Sequence, residues 1–385
     1  MKFKVIVFLS IFAVIYGFAN FYVCYRGWQA IPEQLKFIKP LYISISIFLS
    51  GSYIIGRWLD KTSFDTINAI LTWIGSFWVA ALLYFILVLF VMDMTGLILH
   101  LFGVIPSSLF VNYSFFKFAL LLSVSGLVLI ILVVGYYNST QPEIRSINIK
   151  IDKPGKIINE LRIVAVSDIH MGLIVGKSRI VKMVKAINEL NADVVVFAGD
   201  LLDGVQSHVI RNKTGEPITH IISKYGVFGI TGNHEYMGGI QKSVQYINSL
   251  NVHLLRDVAY KIEDKFYLIG REDNYMFRFV NKHRKNLEDI MSDVDKSLPL
   301  ILLDHQPFHL DNAVKNGIDL QISGHTHHGQ LWPFNYITRK IFEVSKGLKQ
   351  KGNTNIYVSQ GFGTWGPPVR IGSRSEIVLF TLNCK

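Results

Sequence analysis

Long uncharged runs occupy the first third of the sequence and constrain its fold more than any other feature. A helix that crosses a bilayer core needs about 20 apolar residues, with roughly 17 to 25 observed. Residues 1–140 hold only 8 of the 39 Lys and Arg residues and 4 of the 28 Asp and Glu residues. This region predicts a membrane-embedded helical bundle, and the remainder has the composition of a globular domain.

Four of these runs predict transmembrane helices, at about 5–25, 40–56, 66–92 and 118–141, within a multi-pass region over 1–141. The stretch 94–116 is also uncharged, but Gly96, Gly103 and Pro106 interrupt it. It is interpreted as an interfacial or re-entrant connection rather than a fifth helix. Residues 142–156 are expected to form a linker, and residues 157–385 a second domain.

Basic residues beside the predicted spans indicate the orientation in the membrane. Four spans place both chain ends on one side of the bilayer, where eight flanking Lys and Arg residues fall, against four on the other side. Since flanking Lys and Arg favour the cytoplasmic side, the count favours a cytoplasmic C-terminal domain at the cell membrane. A fifth span would place the two chain ends on opposite sides of the bilayer, and this charge count would then no longer indicate the orientation.

Beyond about residue 147, short β-branched runs alternate with helical ones, which predicts an α/β domain. Helical apolar spacing marks Ser178–Leu190 and Gln241–Leu250. The predicted strands are Arg162–Ser167, Asp193–Ala198, Val227–Thr231, Lys265–Gly270, Leu298–Leu303, Asp319–Ser323, Ile356–Ser359 and Ile377–Leu382.

Composition excludes several classes of site and partner. Cys24 and Cys384 are the only cysteines, so the sequence has neither a disulfide framework nor a cysteine-based zinc site. The globular part carries 31 basic and 24 acidic residues, an excess that anionic lipid headgroups explain. Because no nucleic-acid motif accompanies this charge, we expect the lipid bilayer as a partner and no nucleic acid.

Polar side chains follow five of the predicted strands directly, at the end where open α/β sheets place their sites. Glycines flank these positions and allow tight turns and close backbone approach. The segments are VAVSDIH with Asp168 and His170, FAGDLLD with Asp200 and Asp203, GITGNHE with Asn233, His234 and Glu235, ILLDHQP with Asp304 and His305, and ISGHTHHGQ with His325, His327 and His328.

Oxygen and imidazole ligands without thiolate are typical of sites for divalent Mn, Fe or Zn. Seven residues are too many for one tetrahedral ion but suit two ions that share Asp200 and a bridging hydroxide. A single buried histidine is more often hydrogen-bonded core than ligand, and His305 is included because it follows a strand and completes the set. The predicted ligands are Asp168, His170, Asp200, Asn233, His305, His325 and His327.

These motifs, in this order, closely resemble those of the calcineurin-like metallophosphoesterases. The resemblance covers roughly Lys156–Leu382 and rests on Asp-x-His, Gly-Asp-x-x-Asp, Gly-Asn-His-Glu, a lone His and Gly-His-x-His. It implies a four-layer αββα sandwich. The later GFGTWGPPVRIGSRSEI is similar to a membrane-associated bacterial branch related to phosphodiesterases and lipid-A-pathway pyrophosphatases.

The resemblance also implies roles for individual residues. Asp168, His170 and His327 would hold one ion, Asn233, His305 and His325 the other, and Asp200 both. His234 would be the general acid that protonates the leaving group, oriented by Asp203 or Glu235. Two positions depart from the family: Glu235 stands where Asp is common, and His328 replaces a usual Gly. His328 is therefore expected to narrow the pocket or to contact substrate.

Together these features predict a membrane-tethered, two-metal phosphoesterase that hydrolyses a phosphodiester or pyrophosphate. A lipid-linked substrate fits the membrane tether, and a soluble phosphate ester remains open. The run Arg271–Lys285 mixes basic and aromatic residues and predicts either a contact to anionic substrate or lipid, or a solvated loop. The competing hypothesis is a catalytically silent membrane protein that uses the same fold for regulation or scaffolding.

Overall fold

The structure is a computed structural model that describes residues 2–59, 65–104, 114–153, 160–204 and 206–384. The chain divides into two compact units, Met1–Val134 and Gly135–Lys385.

Four long helices form the N-terminal part, as the uncharged runs predict. They are α1 (Lys2–Ala30), α2 (Lys39–Leu59), α3 (Asp65–Leu101) and α4 (Ser114–Thr140), and a 3₁₀ turn, Glu33–Ile38, precedes α2. Within the described residues, three helical segments are long and apolar enough to cross a membrane: Glu33–Leu59, Thr66–Leu101 and Phe115–Thr140. The helix α1 contains the first predicted span.

The predicted break after residue 93 is wrong for its first part, because α3 continues without interruption to Leu101. A glycine such as Gly96 weakens a helix by about 1 kcal/mol relative to alanine. A helix in lipid nevertheless keeps its backbone bonds, since no water replaces them. Pro106, and the rest of the predicted connection over residues 105–113, lie outside the described residues.

One ion pair joins α1 to α3 inside the first unit. The guanidinium of Arg26 donates to the carboxylate of Asp93, and the Tyr22 hydroxyl donates to the same carboxylate at 2.6 Å. The predicted span over 66–92 would place Asp93 just beyond its end. In the structure Asp93 lies inside α3, where its charge is paired. Pairing offsets the cost of a charge in an apolar bundle.

The second unit is built from twelve described strands and eight described helices. Its strands are β1 (Glu143–Ile151), β2 (Glu160–Val166), β3 (Val194–Ala198), β4 (Val227–Ile230), β5 (His253–Leu254), β6 (Val258–Ile262), β7 (Phe266–Gly270), β8 (Leu300–Leu303), β9 (Leu320–Ser323), β10 (Gly347–Lys351), β11 (Thr354–Val358) and β12 (Glu376–Cys384).

Helices lie between the strands and are mostly short. They are α5 (Lys177–Glu189), α6 (Ser207–Arg211), α7 (Asn233–Gly238), α8 (Ile240–Asn248), α9 (Met276–Val280), α10 (Leu287–Ile290), α11 (Asp311–Lys315) and α12 (Phe334–Ile341), with 3₁₀ turns at Glu216–His220 and His327–Gly329. All eight predicted strands and both predicted helices are confirmed, with ends shifted by one or two residues.

The strands form two six-stranded sheets, in the orders β1-β12-β2-β3-β4-β5 and β10-β11-β9-β8-β7-β6. In the first sheet β2, β3, β4 and β5 are parallel. In the second sheet β7, β8, β9 and β11 are parallel, and β6 and β10 run antiparallel at its edges. The parallel strands of each sheet therefore end at one edge, which is where the candidate ligands follow.

A single apolar core fills the space between the sheets. It contains Ile163 and Val196 from the first sheet and Leu268 and Ile301 from the second. On the outer face of the second sheet, Ile269 and other strand residues pack with α10 and α11. The first sheet also buries residues on its outer face, such as Val164, Val195 and Phe197. Two packed sheets with helices outside them form the predicted αββα architecture.

The segment 142–156 differs from the predicted linker. Nine of its residues form β1, which pairs in parallel with β12 from Glu143 opposite Glu376 to Ile151 opposite Cys384. Accordingly the second compact unit begins at Gly135 rather than at residue 157. The cause is long-range, because β1 finds its partner more than 200 residues later. The end of the predicted linker, residues 154–156, lies outside the described residues.

Candidate metal centre

Seven candidate ligands lie at the carboxyl ends of strands from both sheets. Asp168 follows β2, Asp200 follows β3 and Asn233 follows β4 in the first sheet, whereas His305 follows β8 and His325 follows β9 in the second. Packing the two sheets face to face brings these five strand ends together. The site therefore depends on both sheets and not on one contiguous motif.

The first group consists of Asp168, His170 and His327, whose ligand atoms lie within 4.8 Å of one another. The Nε2 atoms of His170 and His327 are 3.1 Å apart, and His327 Nε2 is 3.5 Å from Asp168 Oδ1. The Asp168 carboxylate also accepts the backbone N–H of His325 at 2.9 Å. All three side chains are buried, so the group forms an enclosed cluster of oxygen and nitrogen donors.

The second group consists of Asp200, His305 and His325. His305 Nδ1 donates to the Ala198 carbonyl at 2.8 Å, which leaves Nε2 directed at Asp200 Oδ2, 3.2 Å away. A backbone acceptor at one ring nitrogen is the usual way in which proteins orient a metal-binding histidine. The same Asp200 oxygen lies 3.9 Å from His170 Nε2, so it stands between the two groups.

Buried polar atoms without hydrogen-bond partners show that these residues fit bound metal ions. Within the described part of the chain, Asn233 Oδ1 and His305 Nε2 are buried and make no hydrogen bond. An unsatisfied buried polar atom costs about 1–3 kcal/mol, so native proteins keep few of them. Metal coordination would satisfy such donors, and the oxygen and imidazole set suits Mn, Fe or Zn.

Left-handed backbone conformations are concentrated in the site. Asp168, His170, Asp200, His325 and His327 have φ values of 52°, 51°, 52°, 70° and 44°. This region is uncommon for residues other than glycine and costs of order 1–3 kcal/mol at each position. Tight turns directly after the strands impose it, and they aim the side chains across the sheet edge.

Glycines permit the close approach of these turns. A Cβ atom added at Gly232 would overlap the Asp200 carboxylate, and one added at Gly324 would overlap the Asp168 carboxylate. Neither glycine has a positive φ, so the requirement for glycine is steric. A ligand side chain occupies the space that a Cβ atom would fill. The Gly-Asn and Gly-His pairs of the sequence thus have a steric explanation.

Charge within the cluster shifts the pKa of the central carboxylate. Burial alone raises the pKa of Asp200, but His305, His234 and His170 reverse this and hold it well below its ordinary value. Burial also raises the pKa of Asp168, to about 6, partly offset by His305. Asp200 is therefore the more strongly favoured anion, as expected of a group surrounded by imidazoles.

The first-group imidazoles are kept in the neutral form that binds metals. Burial lowers the pKa of His170 well below its ordinary value, and nearby His234 lowers it further. The pKa of His327 is also well below its ordinary value, because of burial and then of the Arg370 guanidinium. In the second group, burial lowers the pKa of His325 to about 4. Metal ions compete with protons for these nitrogens, so a low pKa favours coordination.

His234 lies beside the ligand clusters with Asp203 next to it. Its Nδ1 is 3.5 Å from Asp203 Oδ1, and its ring packs edge-on against that of His170 with centroids 4.6 Å apart. Its backbone N–H donates to Asp200 Oδ1 at 2.9 Å. Asp203 is thus placed to orient the imidazole of His234.

Glu235 was one of the two carboxylates expected to orient His234, but its hydrogen bonds are made to backbone N–H groups. Its carboxylate accepts the backbone N–H groups of Gly232, Leu202 and Asp200 at 2.7, 2.9 and 3.1 Å. Burial, followed by the charge of Asp200, raises its pKa to about 7. These bonds tie two site loops together, so Glu235 supports the backbone and does not orient His234.

His328 is buried beside the site, where its Nδ1 lies 3.0 Å from Ser345 Oγ. Burial lowers its pKa to about 4, with contributions from Lys346 and Arg339. Contact of His328 with substrate stays a prediction.

The basic run Arg271–Lys285 is only partly a surface feature. Arg271 and Arg284 both donate to the Asp304 carboxylate, at 3.1 and 2.8 Å. Because Asp304 precedes His305, these arginines fix the loop that carries a candidate ligand. The exposed residues of the run include the aromatic Phe277 and Phe279 and the basic Arg278.

Arg370 is a functional candidate that the sequence analysis missed. Its Nη2 donates to His327 Nδ1 at 3.0 Å and to the carbonyls of Gly363 and Gly361 at 2.6 and 3.2 Å. The side chain is completely buried. The available signal was weak: an arginine amid glycine, proline and apolar residues, 43 positions after the histidine it contacts.

Comparison with known proteins finds a matching family and several relatives. The calcineurin-like phosphoesterase family matches residues 161–329. A transmembrane protein with metallophosphoesterase domain from Danio rerio is 34% identical over 66% of this chain and 60% of its own length. An uncharacterized metallophosphoesterase from Helicobacter pylori is 33% identical over 64% of this chain and 66% of its own. The chain thus spans about three-fifths to two-thirds of these relatives.

A third relative matches along its full length. An uncharacterized metallophosphoesterase from Campylobacter jejuni is 30% identical over 99% of both chains, so the helical N-terminal part is shared as well. With these matches and the two-sheet fold, the chain belongs to the calcineurin-like metallophosphoesterase family.

Proposed function

We propose that this protein hydrolyses a phosphodiester or a pyrophosphate at the clustered strand ends, using two divalent metal ions. Asp168, His170 and His327 would hold one ion, Asn233, His305 and His325 the other, and Asp200 both. The position of Asp200 Oδ2, 3.2 Å from His305 Nε2 and 3.9 Å from His170 Nε2, is the observation that carries this proposal.

Two ions at such a site would supply charge that neutralises phosphoryl oxygens and lowers the pKa of an attacking water. Proton donation and the positioning of the donor are assigned to side chains of the protein. His234 lies beside both groups and is the proposed general acid, which donates its proton to the departing oxygen. Asp203, 3.5 Å from His234 Nδ1, is the proposed positioning residue for that imidazole. One positioned acid contributes about 10²–10⁴-fold to rate.

The membrane region makes a lipid-linked phosphate ester the favoured substrate class. We propose that the four long helices all cross the cell membrane and that the second unit is cytoplasmic. A substrate held in the bilayer would then reach the site by lateral diffusion. A soluble phosphodiester is the second candidate, and the site chemistry is the same for both.

Purified full-length protein in detergent or nanodiscs tests the proposal. It should contain close to two transition-metal ions and should hydrolyse an aryl phosphodiester such as bis(p-nitrophenyl) phosphate, and chelation should abolish turnover. The control variant is Asp264→Asn, which changes an exposed carboxylate that pairs with Lys261 outside the site and should leave metal content and turnover unchanged. A fully loaded protein that hydrolyses neither aryl esters nor lipid pyrophosphates would support the silent regulatory or scaffolding alternative.

A further inference from the structure

The helix α12 has its apolar and polar faces reversed for a helix on a water-exposed surface. It buries two polar residues, Asn335 and Thr338, and exposes Phe334, Ile337 and Ile341. The exposed side chains are 42, 54 and 58% accessible. Their spacing of three and four residues places them on one face. Surface helices of soluble domains normally bury such a face, so this one needs an apolar environment outside the domain.

Two tryptophans extend this exposed face. Trp332 lies two residues before the first residue of α12 and is 43% exposed, and Trp365 is 62% exposed. Gln330 holds Trp365 near the start of the helix, because its side chain accepts the Trp365 N–H at 2.9 Å and donates to the Trp365 carbonyl at 3.0 Å. We call this set the α12 surface: Trp332, Phe334, Ile337, Ile341 and Trp365.

The α12 surface lies close to the end of α4, within the second unit. The backbone N–H of Arg370 donates to the Gly135 carbonyl in α4 at 2.9 Å, and the N–H of Trp332 donates to the carbonyl of Ile371 at 2.8 Å. One backbone segment therefore separates the start of α12 from α4. The helix α4 is apolar enough to cross a membrane.

Exposed positive charge accompanies the apolar face. Arg339 and Lys340 are exposed in the last turn of α12. In the described part of the chain neither has an ion-pair partner. Lys and Arg beside exposed apolar residues match the anionic headgroups of a bilayer, and tryptophan is enriched at the same depth. A two-fold contact between two copies of the chain would instead bring the cations of both copies together.

We propose that the α12 surface lies in the interfacial layer of the bilayer into which α4 runs, with Ile337 and Ile341 among the acyl chains and Arg339 and Lys340 at anionic headgroups. The inference rests on the exposed face, its charges and its continuity with α4, and it does not require the protein to be an enzyme.

A consequence for substrate access rests additionally on the proposed function. The helix packs against the turn that carries His327, so closely that a Cβ atom at Gly329 would overlap the backbone of Asn335. A membrane-seated α12 would place that turn at the lipid surface. An amphiphilic ester would then present its phosphate to the site while its apolar part stays in the bilayer.

Spin labels in the full chain test the placement of α12. Cysteine is introduced singly at Ile337, Ile341 or Val258, in a background with Cys24→Ser and Cys384→Ser, and the protein is reconstituted in nanodiscs containing phosphatidylglycerol. Val258 is the matched control, because it is apolar and 42% exposed. It lies on β6, at the opposite edge of the second sheet from β10, the strand that follows α12 in the chain. Collision rates with oxygen, which partitions into lipid, and with a water-soluble nickel chelate are measured.

The labels at 337 and 341 should show several-fold higher oxygen-to-nickel accessibility ratios than the label at 258. High nickel access at all three positions would overturn the proposal, and protection from both agents at 337 and 341 would mean that a protein partner covers the helix instead. Replacing phosphatidylglycerol with phosphatidylcholine should lower the ratio at 337, and Arg339→Ala with Lys340→Ala should remove that lipid dependence.

An activity comparison separates this inference from the proposed function. Ile337→Glu with Ile341→Glu should leave turnover of a soluble aryl phosphodiester unchanged and reduce turnover of a vesicle-embedded phosphate ester several-fold, and Val258→Glu should change neither. Equal loss on both substrates would contradict the membrane role. Absence of any turnover in the unmodified protein would instead contradict the proposed function, and the spin-label result would still decide the placement of α12.

Discussion

Arg370 donates a hydrogen bond from Nη2 to Nδ1 of His327 at 3.0 Å, and its backbone N–H donates to the Gly135 carbonyl at the end of α4. The same residue thus contacts a candidate metal ligand and the last turns of an apolar helix. Coordination of an ion through His327 Nε2 would place the ring proton on Nδ1. The guanidinium would then turn towards the Gly361 and Gly363 carbonyls, which it already contacts.

Substituting Arg370 should therefore weaken both metal binding and the fold. Arg370→Met leaves two buried carbonyls without their donor, at about 1–3 kcal/mol each. It should also lower affinity for the ion at His327 by about 10- to 100-fold, because the guanidinium holds the turn over residues 361–363 beside that imidazole even when it no longer donates to Nδ1. Metal titration and thermal unfolding measure these effects. The control is Arg374→Met, since Arg374 is exposed. Unchanged affinity in Arg370→Met would show that the contact is structural only.

Asp200 and His170 should differ in how many ions they retain. Asp200→Ala removes the carboxylate that stands between the groups, so it should lose both ions, whereas His170→Ala should mainly weaken one. Elemental analysis of the purified variants gives the stoichiometry. Full loading of Asp200→Ala would show that the shared-ligand assignment is wrong.

His234→Asn should keep the fold and both ions but lose turnover in a way that depends on substrate. An aryl ester has a leaving group that departs without protonation, so its hydrolysis should be little affected. An alkyl ester needs the proton, and its loss should approach about 10²–10⁴-fold. Steady-state rates on the two esters, with metal content measured in parallel, decide the role. Equal losses would exclude a general acid, and loss of metal would make His234 a ligand.

Substitutions of Asp203 and Glu235 should have different effects on activity and stability. Asp203→Asn should shift the pH dependence of kcat for an alkyl ester and preserve thermal stability, because Asp203 contacts the imidazole. Glu235→Ala should lower the free energy of unfolding by about 1–3 kcal/mol or more, because buried backbone N–H groups lose their acceptor. If Asp203→Asn destabilises the protein as strongly as Glu235→Ala and leaves the pH profile unchanged, Asp203 is structural.

Both chain ends should lie in the cytoplasm. The prediction follows from four spans with the larger number of basic flanking residues on the terminal side. A reporter that is active only in the cytoplasm, fused to the C-terminus, should be active. A single cysteine at Ser107 should react with a membrane-impermeant reagent from the outside. Labelling of position 107 from the same side as the termini would contradict the four-span arrangement.

Local sequence patterns predicted the four long helices, eight of the twelve described strands and the candidate ligands. Uncharged length marked the four helices, because the bilayer thickness imposes it. Alternating β-branched runs marked eight strands, and the polar residues directly after them marked the cluster that the structure brings together. These signals are local, since a side chain such as Asp168 or Asp200 lies next to the strand that positions it.

Tertiary structure decided the features that depend on residues far away in the chain or on the surroundings of a helix. The strand β1 lay in a segment expected to be a linker, because it forms only by pairing with β12, more than 200 residues away. Gly96 looked like a helix break, yet α3 continues through it, because an apolar surrounding preserves backbone hydrogen bonds. Glu235 and Asp203 were equivalent in the sequence, and only the packed loops showed that one holds backbone N–H groups and the other faces His234.

Arg370 and α12 show the same division most clearly. The spacing of Phe334, Ile337 and Ile341 determines a helix with an apolar face, but whether that face turns inward depends on where the chain before and after it is anchored. Arg370 meets His327 only because the loop that carries it returns from β11 across the end of α4. The sequence determined which residues carry charge, apolar surface and metal-binding donors, and the packing of the two sheets determined which of them meet, because strands contact partners that lie far away in the chain.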